Sequence, residues 1–302
     1  MYPVYQPFGT EKKCKEVPLT FPPQFQDQHP GLEYIMVPRP ISENPDYLGS
    51  GKLQDKVAII TGGDSGIGRA VAYAFAKEGA DVVIPYLCEH EDALETKARV
   101  EEIGRSCLLI PGDLQKEEMS AEVVKRTMEQ FGKIDTLVNN HGVQYVQRSI
   151  MEITSKQLEK TFRTNIFAFF YMTKAVLPHL LPGSTIINTT SITAYEGHKD
   201  LIDYSATKGA ILTFTRSLSL SLVDKGIRVN GIAPGPIWTP LTVSSFSAEE
   251  VKTFGSYTPE TPMKRAGQPF EIATGFVFLA SGDSSYMSGQ VLHPNGGSIT
   301  GS

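Results

Sequence analysis

The chain is expected to fold as α/β, a doubly wound parallel sheet in a single domain with an extended N-terminal arm. From residue 53 onward, short apolar runs alternate with amphipathic stretches. A glycine-rich loop joins the first run to the first amphipathic stretch. The 302 residues exceed what one such domain needs by about fifty, and the excess lies at the N-terminus. Strand, helix and strand at this spacing imply parallel pairing, with ligands bound beyond the carboxyl ends of the strands.

Residues 1–52 form the arm. Its first fifty residues hold nine of the 20 prolines, which forbids helix and disfavours sheet. They also hold seven aromatics: Tyr2, Tyr5, Phe8, Phe21, Phe25, Tyr34 and Tyr47. Disordered tails are poor in aromatics, so an extended segment docked on the body or on a partner subunit is expected. The domain proper is 53–302. Strands are expected at 57–60, 82–84, 107–110, 134–138, 185–187, 228–232 and 290–292, because each is a short apolar run bounded by polar or glycine residues. Helices are expected over 66–78, 92–103, 116–130, 155–180, 204–224 and 269–280.

Composition removes several function classes. Lys and Arg total 28 against 33 Asp and Glu, a net charge of −5, with no basic stripe for a nucleic acid. Cys14, Cys88 and Cys107 form no Cys-x-x-Cys pair, so neither a zinc site nor a disulfide framework is expected. Free thiols in a reducing cytoplasm are the default. No apolar run reaches the roughly 18 residues of a membrane span, and the first residues lack the basic and apolar regions of a secretory signal. A cytoplasmic protein without membrane or metal is expected.

The first strand runs into Thr61-Gly62-Gly63-Asp64-Ser65-Gly66-Ile67-Gly68. Glycines allow a tight turn and a close backbone approach to a pyrophosphate, and the helix start beyond supplies N–H donors and a positive dipole end. Tyr204 and Lys208 lie four residues apart, on one helix face. A cation beside a phenol favours phenolate and lowers its pKa, which makes Tyr204 a usable acid/base for alcohol and carbonyl interconversion. Ser191 follows the 185–187 strand, where a hydroxyl can orient a substrate oxygen.

The spacing Gly62-x-x-x-Gly66-x-Gly68, with Ser191 thirteen residues before Tyr204-x-x-x-Lys208, resembles the short-chain dehydrogenase/reductase family. With its proline-rich arm, the chain is similar to bacterial general-stress-type oxidoreductases and glucose/ribitol dehydrogenases. The resemblance spans 53–302 and implies a Rossmann-type fold. It implies a catalytic set of Asn165, Ser191, Tyr204 and Lys208, in which Asn165 bends its helix and organises a proton path through a water. Cofactor contacts are implied for Gly62, Asp64, Ser65, Gly66, Ile67 and Gly68, for Tyr86, and for Asp113 and Leu114 beside the adenine. Asn140, His141 and Gly142 match the family's Asn-Asn-Ala-Gly, with histidine in place of alanine. Pro234, Gly235, Ile237 and Thr239 match its nicotinamide-holding segment, and Lys208 is expected to reach the nicotinamide ribose. Asn295-Gly296-Gly297 matches a further signature. Relatives commonly assemble as homotetramers, and the aromatic stretch 162–171 is a candidate for either that interface or the core.

NAD is the expected cofactor, with NADP as the other possibility. Ser65 stands where many NADP enzymes of the family carry a basic residue, and Glu89, Glu91 and Asp92 should repel a 2′-phosphate. Tyr86 stands where NAD enzymes often carry aspartate, and Arg69 is the one nearby cation. Ser191, Ile192, Thr193, Tyr195, His198, Trp238 and Phe246 are expected near the substrate, a sugar alcohol, an aldehyde or a ketone, under a flexible lid at 240–265. His141 is expected to pack near the cofactor rather than to bind metal. The alternative is a catalytically silent nicotinamide-binding sensor or scaffold, against which the complete tetrad speaks. Enoyl reduction fits poorly, because those relatives space tyrosine and lysine farther apart.

Deleting residues 1–45 should lower thermal stability or disturb assembly more than it alters the hydride-transfer step. Unchanged melting temperature and oligomer size would make the arm a disordered tail.

Overall fold

Alternation along the first core strand sets up two helical layers. The computed structural model describes residues 10–12, 16–256 and 261–301. Two short strands, β1 (Thr10–Lys12) and β2 (Glu16–Pro18), pair antiparallel in the arm. In β3 (Val57–Ile60), Val57 and Ile59 enter one apolar cluster while Ala58 and Ile60 enter another. Both faces of a parallel sheet are covered, so its strands are apolar throughout.

The remaining strands are β4 (Asp81–Tyr86), β5 (Cys107–Pro111), β6 (Thr136–Asn139), β7 (Thr185–Thr189), β8 (Arg228–Ile232) and β9 (Val291–Leu292). They form a seven-stranded sheet of order β5-β4-β3-β6-β7-β8-β9, and every pair in it is parallel. The order reverses between β3 and β6, which opens a crevice at their carboxyl ends. Helix α1 (Gly66–Lys77) begins there, followed by α2 (His90–Glu102) and α3 (Glu117–Phe131).

The helix expected over 155–180 is interrupted. It divides into α4 (Ser155–Phe162), a π-helical turn at Arg163–Phe167 and α5 (Ala168–Val176). Asn165 sits in that turn. Beyond a single turn α6 (Thr193–Glu196), the long α7 (Ile202–Leu222) carries Tyr204 and Lys208. The segment expected as a lid holds α8 (Pro240–Val243) and α9 (Ala248–Lys252), while its residues 257–260 lie outside the described residues. Helix α10 (Pro269–Ala280) packs beside α1. Among the described residues, no helix is long and apolar enough to cross a membrane.

The arm lies along its own domain from about Phe21 to Leu53. Tyr2, Tyr5 and Phe8 lie outside the described residues. Phe21 stacks on Trp238, with centroids 3.8 Å apart and planes at 7°. The Trp238 indole N–H donates to the Pro38 carbonyl at 2.9 Å. Gln26 N–H donates to the Val243 carbonyl at 2.8 Å, and Ile41 N–H donates to the Gln268 side chain at 2.9 Å. Phe21, Met36, Trp238, Val243, Val251 and Ala266 therefore make a separate core between arm and lid segment.

That position corrects the expectation for Trp238. It is fully buried under the arm and does not line the cavity described below. Trp238→Ala should cost roughly 3–5 kcal/mol, the usual range for emptying a buried tryptophan site. Urea unfolding measures it, and a loss below about 1 kcal/mol would mean that the arm is not docked as described.

Candidate functional site

A single cavity of about 950 Å³ runs along the carboxyl edge of the sheet, from the glycine loop to the Tyr204 phenol. Gly62 and Gly66 hold φ of +65° and +52°, a region that favours glycine. A Cβ on Gly68 would stand 2.0 Å from the Gly62 carbonyl oxygen, so the turn closes only with glycine there. Ser65 caps α1 without a side-chain bond to it. Backbone can thus approach a phosphate at the dipole end of α1. Gly62, Asp64, Ser65, Gly66 and Ile67 line the cavity, while Gly68 lies behind it as the packing residue.

The other expected cofactor residues fall along the same wall. Tyr86, Asp113 and Leu114 line it at the ends of β4 and β5. Asn140, His141 and Gly142 line it after β6, and Pro234, Gly235, Ile237 and Thr239 after β8. The Asn140 amide donates to the Thr61 carbonyl at 3.2 Å, which ties the two loops together. His141 Nδ1 meets the Thr61 hydroxyl at 2.7 Å. Burial, with Lys208 nearby, lowers its pKa to about 4, so the ring is neutral at pH 7.

At the β4 and β5 ends the lining carries the carboxyl groups of Asp64, Glu89 and Asp113, and no lysine or arginine among the described residues. Burial raises Asp64 to about 7, with Glu89 repulsion adding to it, and burial raises Glu89 as well. Glu89 Oε2 accepts the Cys88 N–H at 2.8 Å, whereas its buried Oε1 has no partner. Two expectations are corrected here. Glu91 and Asp92 do not line the cavity, and neither does Arg69. Arg69 is only 2 % exposed and ion-paired to Glu33 and Asp92, so it is not a free cation for a phosphate.

At the other end, Ser191, Tyr204 and Lys208 share the cavity wall. Lys208 Nζ lies 5.4 Å from the Tyr204 ring centroid and donates to the Thr189 carbonyl at 2.9 Å. The expected lowering of the tyrosine pKa is not what this environment gives. Burial pushes Tyr204 up to about 12, offset only by a hydrogen bond with Ser191. Burial also brings Lys208 down to about 7. Excluding water disfavours both charged forms, the phenolate and the ammonium.

Asn165 does not face the cavity. Its side chain is fully buried and exchanges two 2.8 Å hydrogen bonds with the backbone of Val143, while its amide also donates to Thr207 at 3.1 Å. It thus ties the loop after β6 to the helix of Tyr204. Thr193 and His198 line the cavity, and Thr193 donates to the Ser191 hydroxyl from both its N–H and its own hydroxyl, each at 3.1 Å. Tyr195 turns away instead, its ring edge-on to His293 with centroids 4.6 Å apart, and is absent from the lining.

Several contributors went unread in the sequence. Asp203 is buried beside Tyr204, accepting from the Tyr204 N–H at 2.9 Å, Thr161 at 2.8 Å and Gln157 at 3.0 Å. Thr190 donates to the Lys208 carbonyl at 2.7 Å. From the arm, His29, Pro30 and Gly31 line the cavity. Only the aromatic and proline content of the arm hinted that it docks at all.

Known proteins share this fold and much of this sequence. A family profile described as "Enoyl-(Acyl carrier protein) reductase" matches residues 62–298. The chain is 56% identical over 286 residues to the glucose and ribitol dehydrogenase of Daucus carota, covering 92% of this chain and 97% of that protein. It is 52% identical over 283 residues to "NADPH-dependent aldehyde reductase 1, chloroplastic" of Arabidopsis thaliana, covering 91% and 97%. A solved short-chain dehydrogenase from Burkholderia cenocepacia, in complex with NADP, superposes with a TM-score of 0.76 at 30% identity, covering 82% of this chain and 98% of that one. A glycine loop at the sheet's switch point, a serine, tyrosine and lysine on one cavity wall, and relatives of this identity and coverage have one common explanation: the chain belongs to the short-chain dehydrogenase/reductase family of oxidoreductases.

Proposed function

We propose that the protein transfers a hydride reversibly between a nicotinamide dinucleotide and an alcohol or carbonyl substrate, with Tyr204 as general acid/base. The convergence of Ser191, Tyr204 and Lys208 on the cavity that begins at the glycine loop carries this reading. The loop residues would hold the pyrophosphate, and Pro234 to Thr239 the nicotinamide end. The bound cofactor supplies or accepts the hydride.

The protein's own groups manage the oxygen and its proton. Ser191 is held by Thr193 and presents its hydroxyl to the substrate oxygen. Tyr204, neutral at pH 7, gives its proton to the oxygen of a carbonyl being reduced and takes one from an alcohol being oxidised. Lys208, charged as phenolate forms, stabilises that anion in a site poor in water. Asn165 acts as a positioning residue through Val143 and Thr207. A phenol held near 12 is the form that reduction needs. Reduction should therefore run at neutral pH, and oxidation should speed up as alkali brings phenolate into reach.

Sugars, polyols and aldehydes are the substrate classes favoured, supported by the names of the relatives and by the polar wall of Thr193 and His198. NAD is the preferred dinucleotide, since Asp64 and Glu89 face the cavity where a 2′-phosphate would need cations. The relative named for NADPH makes the second cofactor part of the test. A cytoplasmic homotetramer completes the reading. Phe167 and Phe170 are exposed on the α5 side while Phe169 is buried, so the aromatic stretch serves both surface and core.

A panel of sugars, polyols, aldehydes and ketones with both cofactors tests the proposal. Tyr204→Phe should cut turnover by at least about a hundredfold, the scale of acid/base catalysis, with cofactor binding intact. Lys208→Met should damage both. Retained turnover in Tyr204→Phe removes the assigned acid/base, and an inert wild type that binds cofactor restores the sensor alternative.

For the cofactor, kcat/KM should favour NAD, and Glu89→Gln should narrow the ratio by improving NADP. A wild-type preference for NADP would overturn the assignment.

A further inference from the structure

Glu33 reaches the glycine loop from the arm. Its side chain is 1 % exposed. One carboxylate oxygen accepts the Gly66 N–H at 2.6 Å, and the other pairs with Arg69 at 2.7 Å. Arg69 donates to the Asp64 carbonyl and to the Asp92 carbonyl, both at 2.9 Å, so it fastens the loop to α2. Asp92 returns to the arm, its carboxylate accepting the N–H groups of Glu33 at 2.7 Å and Tyr34 at 2.9 Å. Just upstream, the arm forms cavity wall at His29, Pro30 and Gly31. It passes so close to the lid segment that a Cβ on Gly31 would lie 2.5 Å from the Pro240 carbonyl oxygen.

We propose that Glu33 is a positioning residue for the dinucleotide, fixing Asp64-Ser65-Gly66 in the conformation that presents the start of α1 to the pyrophosphate. Glycine gives this loop its shape and also its freedom, and a free loop must be ordered when ligand binds. An acceptor on the Gly66 N–H, braced by a buried guanidinium, meets that cost in advance. Arg69 balances the Glu33 carboxylate, with the Arg39 guanidinium 3.8 Å from the same oxygen, so the approaching phosphates do not meet an uncompensated anion. The arm is then part of the cofactor site as well as a stabilising strap.

This rests on the glycine loop being the dinucleotide site, and the experiment separates the two ideas. Calorimetric titration with NADH and with NADPH is run beside thermal melting on three full-length proteins: wild type, Glu33→Ala and Phe21→Ala. The last loosens the arm at Trp238, away from the loop. Both variants should lose melting temperature, but only Glu33→Ala should weaken the preferred dinucleotide at least tenfold, with Phe21→Ala changed less than threefold. Should Glu33→Ala not fold, the near-isosteric Glu33→Gln and Asp92→Asn carry the same comparison, each expected to weaken binding beyond the loss in Phe21→Ala. Wild-type affinity in the Glu33 variants, or affinity losses that track melting temperature in every variant, would overturn the positioning role. A wild type that binds neither dinucleotide would overturn the underlying site assignment instead.

Discussion

Burying the Arg69 guanidinium obliges the surrounding chain to supply acceptors for it, since an uncompensated buried charge costs several kcal/mol. The acceptors come from three places: Glu33 in the arm, the Asp64 carbonyl in the glycine loop, and Asp92 with Thr96 on α2. Meeting one charge therefore joins segments that sequence separation keeps apart. The arm at Glu33, the glycine loop at Asp64 and the first turn of α2 all meet at this one side chain. The Phe21–Trp238 stack and the Trp238 bond to the Pro38 carbonyl then anchor the arm a second time.

The reacting end follows a different rule. There the fold excludes water from a phenol and an ammonium, which disfavours the charged form of each. Tyr204 is driven toward phenol and Lys208 toward amine. Asp203, Asn165 and Thr190 keep the two side chains in register by gripping backbone at the start of α7, after β6 and at Lys208. These grips make a rigid frame, so stabilisation of a transient anion requires little rearrangement.

Much of this was legible in the sequence, because it depends on local pattern. The seven strands follow from apolar runs, and the loop and the Tyr204–Lys208 pair follow from spacing along one helix or one turn. What was illegible depends on which way a side chain faces once distant segments meet. Trp238 lies in a cofactor-binding motif, but Phe21, more than two hundred residues earlier, decides that it is core. Glu89, Glu91 and Asp92 form one acidic run, yet α2 begins between them at His90, leaving Glu89 in the cavity and turning Asp92 to the arm. Tyr195 is drawn off by His293 in the last strand's loop. The π-turn at Asn165 is not registered by periodicity, and only the family resemblance implied a bend there; its side chain is hydrogen-bonded to a loop 22 residues away.

The sequence contains one tryptophan, and it is Trp238. Its indole is sealed between a phenyl ring and a carbonyl that both belong to the arm. Indole emission shifts to the red when water reaches the ring, so fluorescence excited beyond the absorption of the 12 tyrosines reports the opening of the small core that the arm shares with the segment after β8. The wavelength of that emission thus gives a label-free optical record of whether this core is closed.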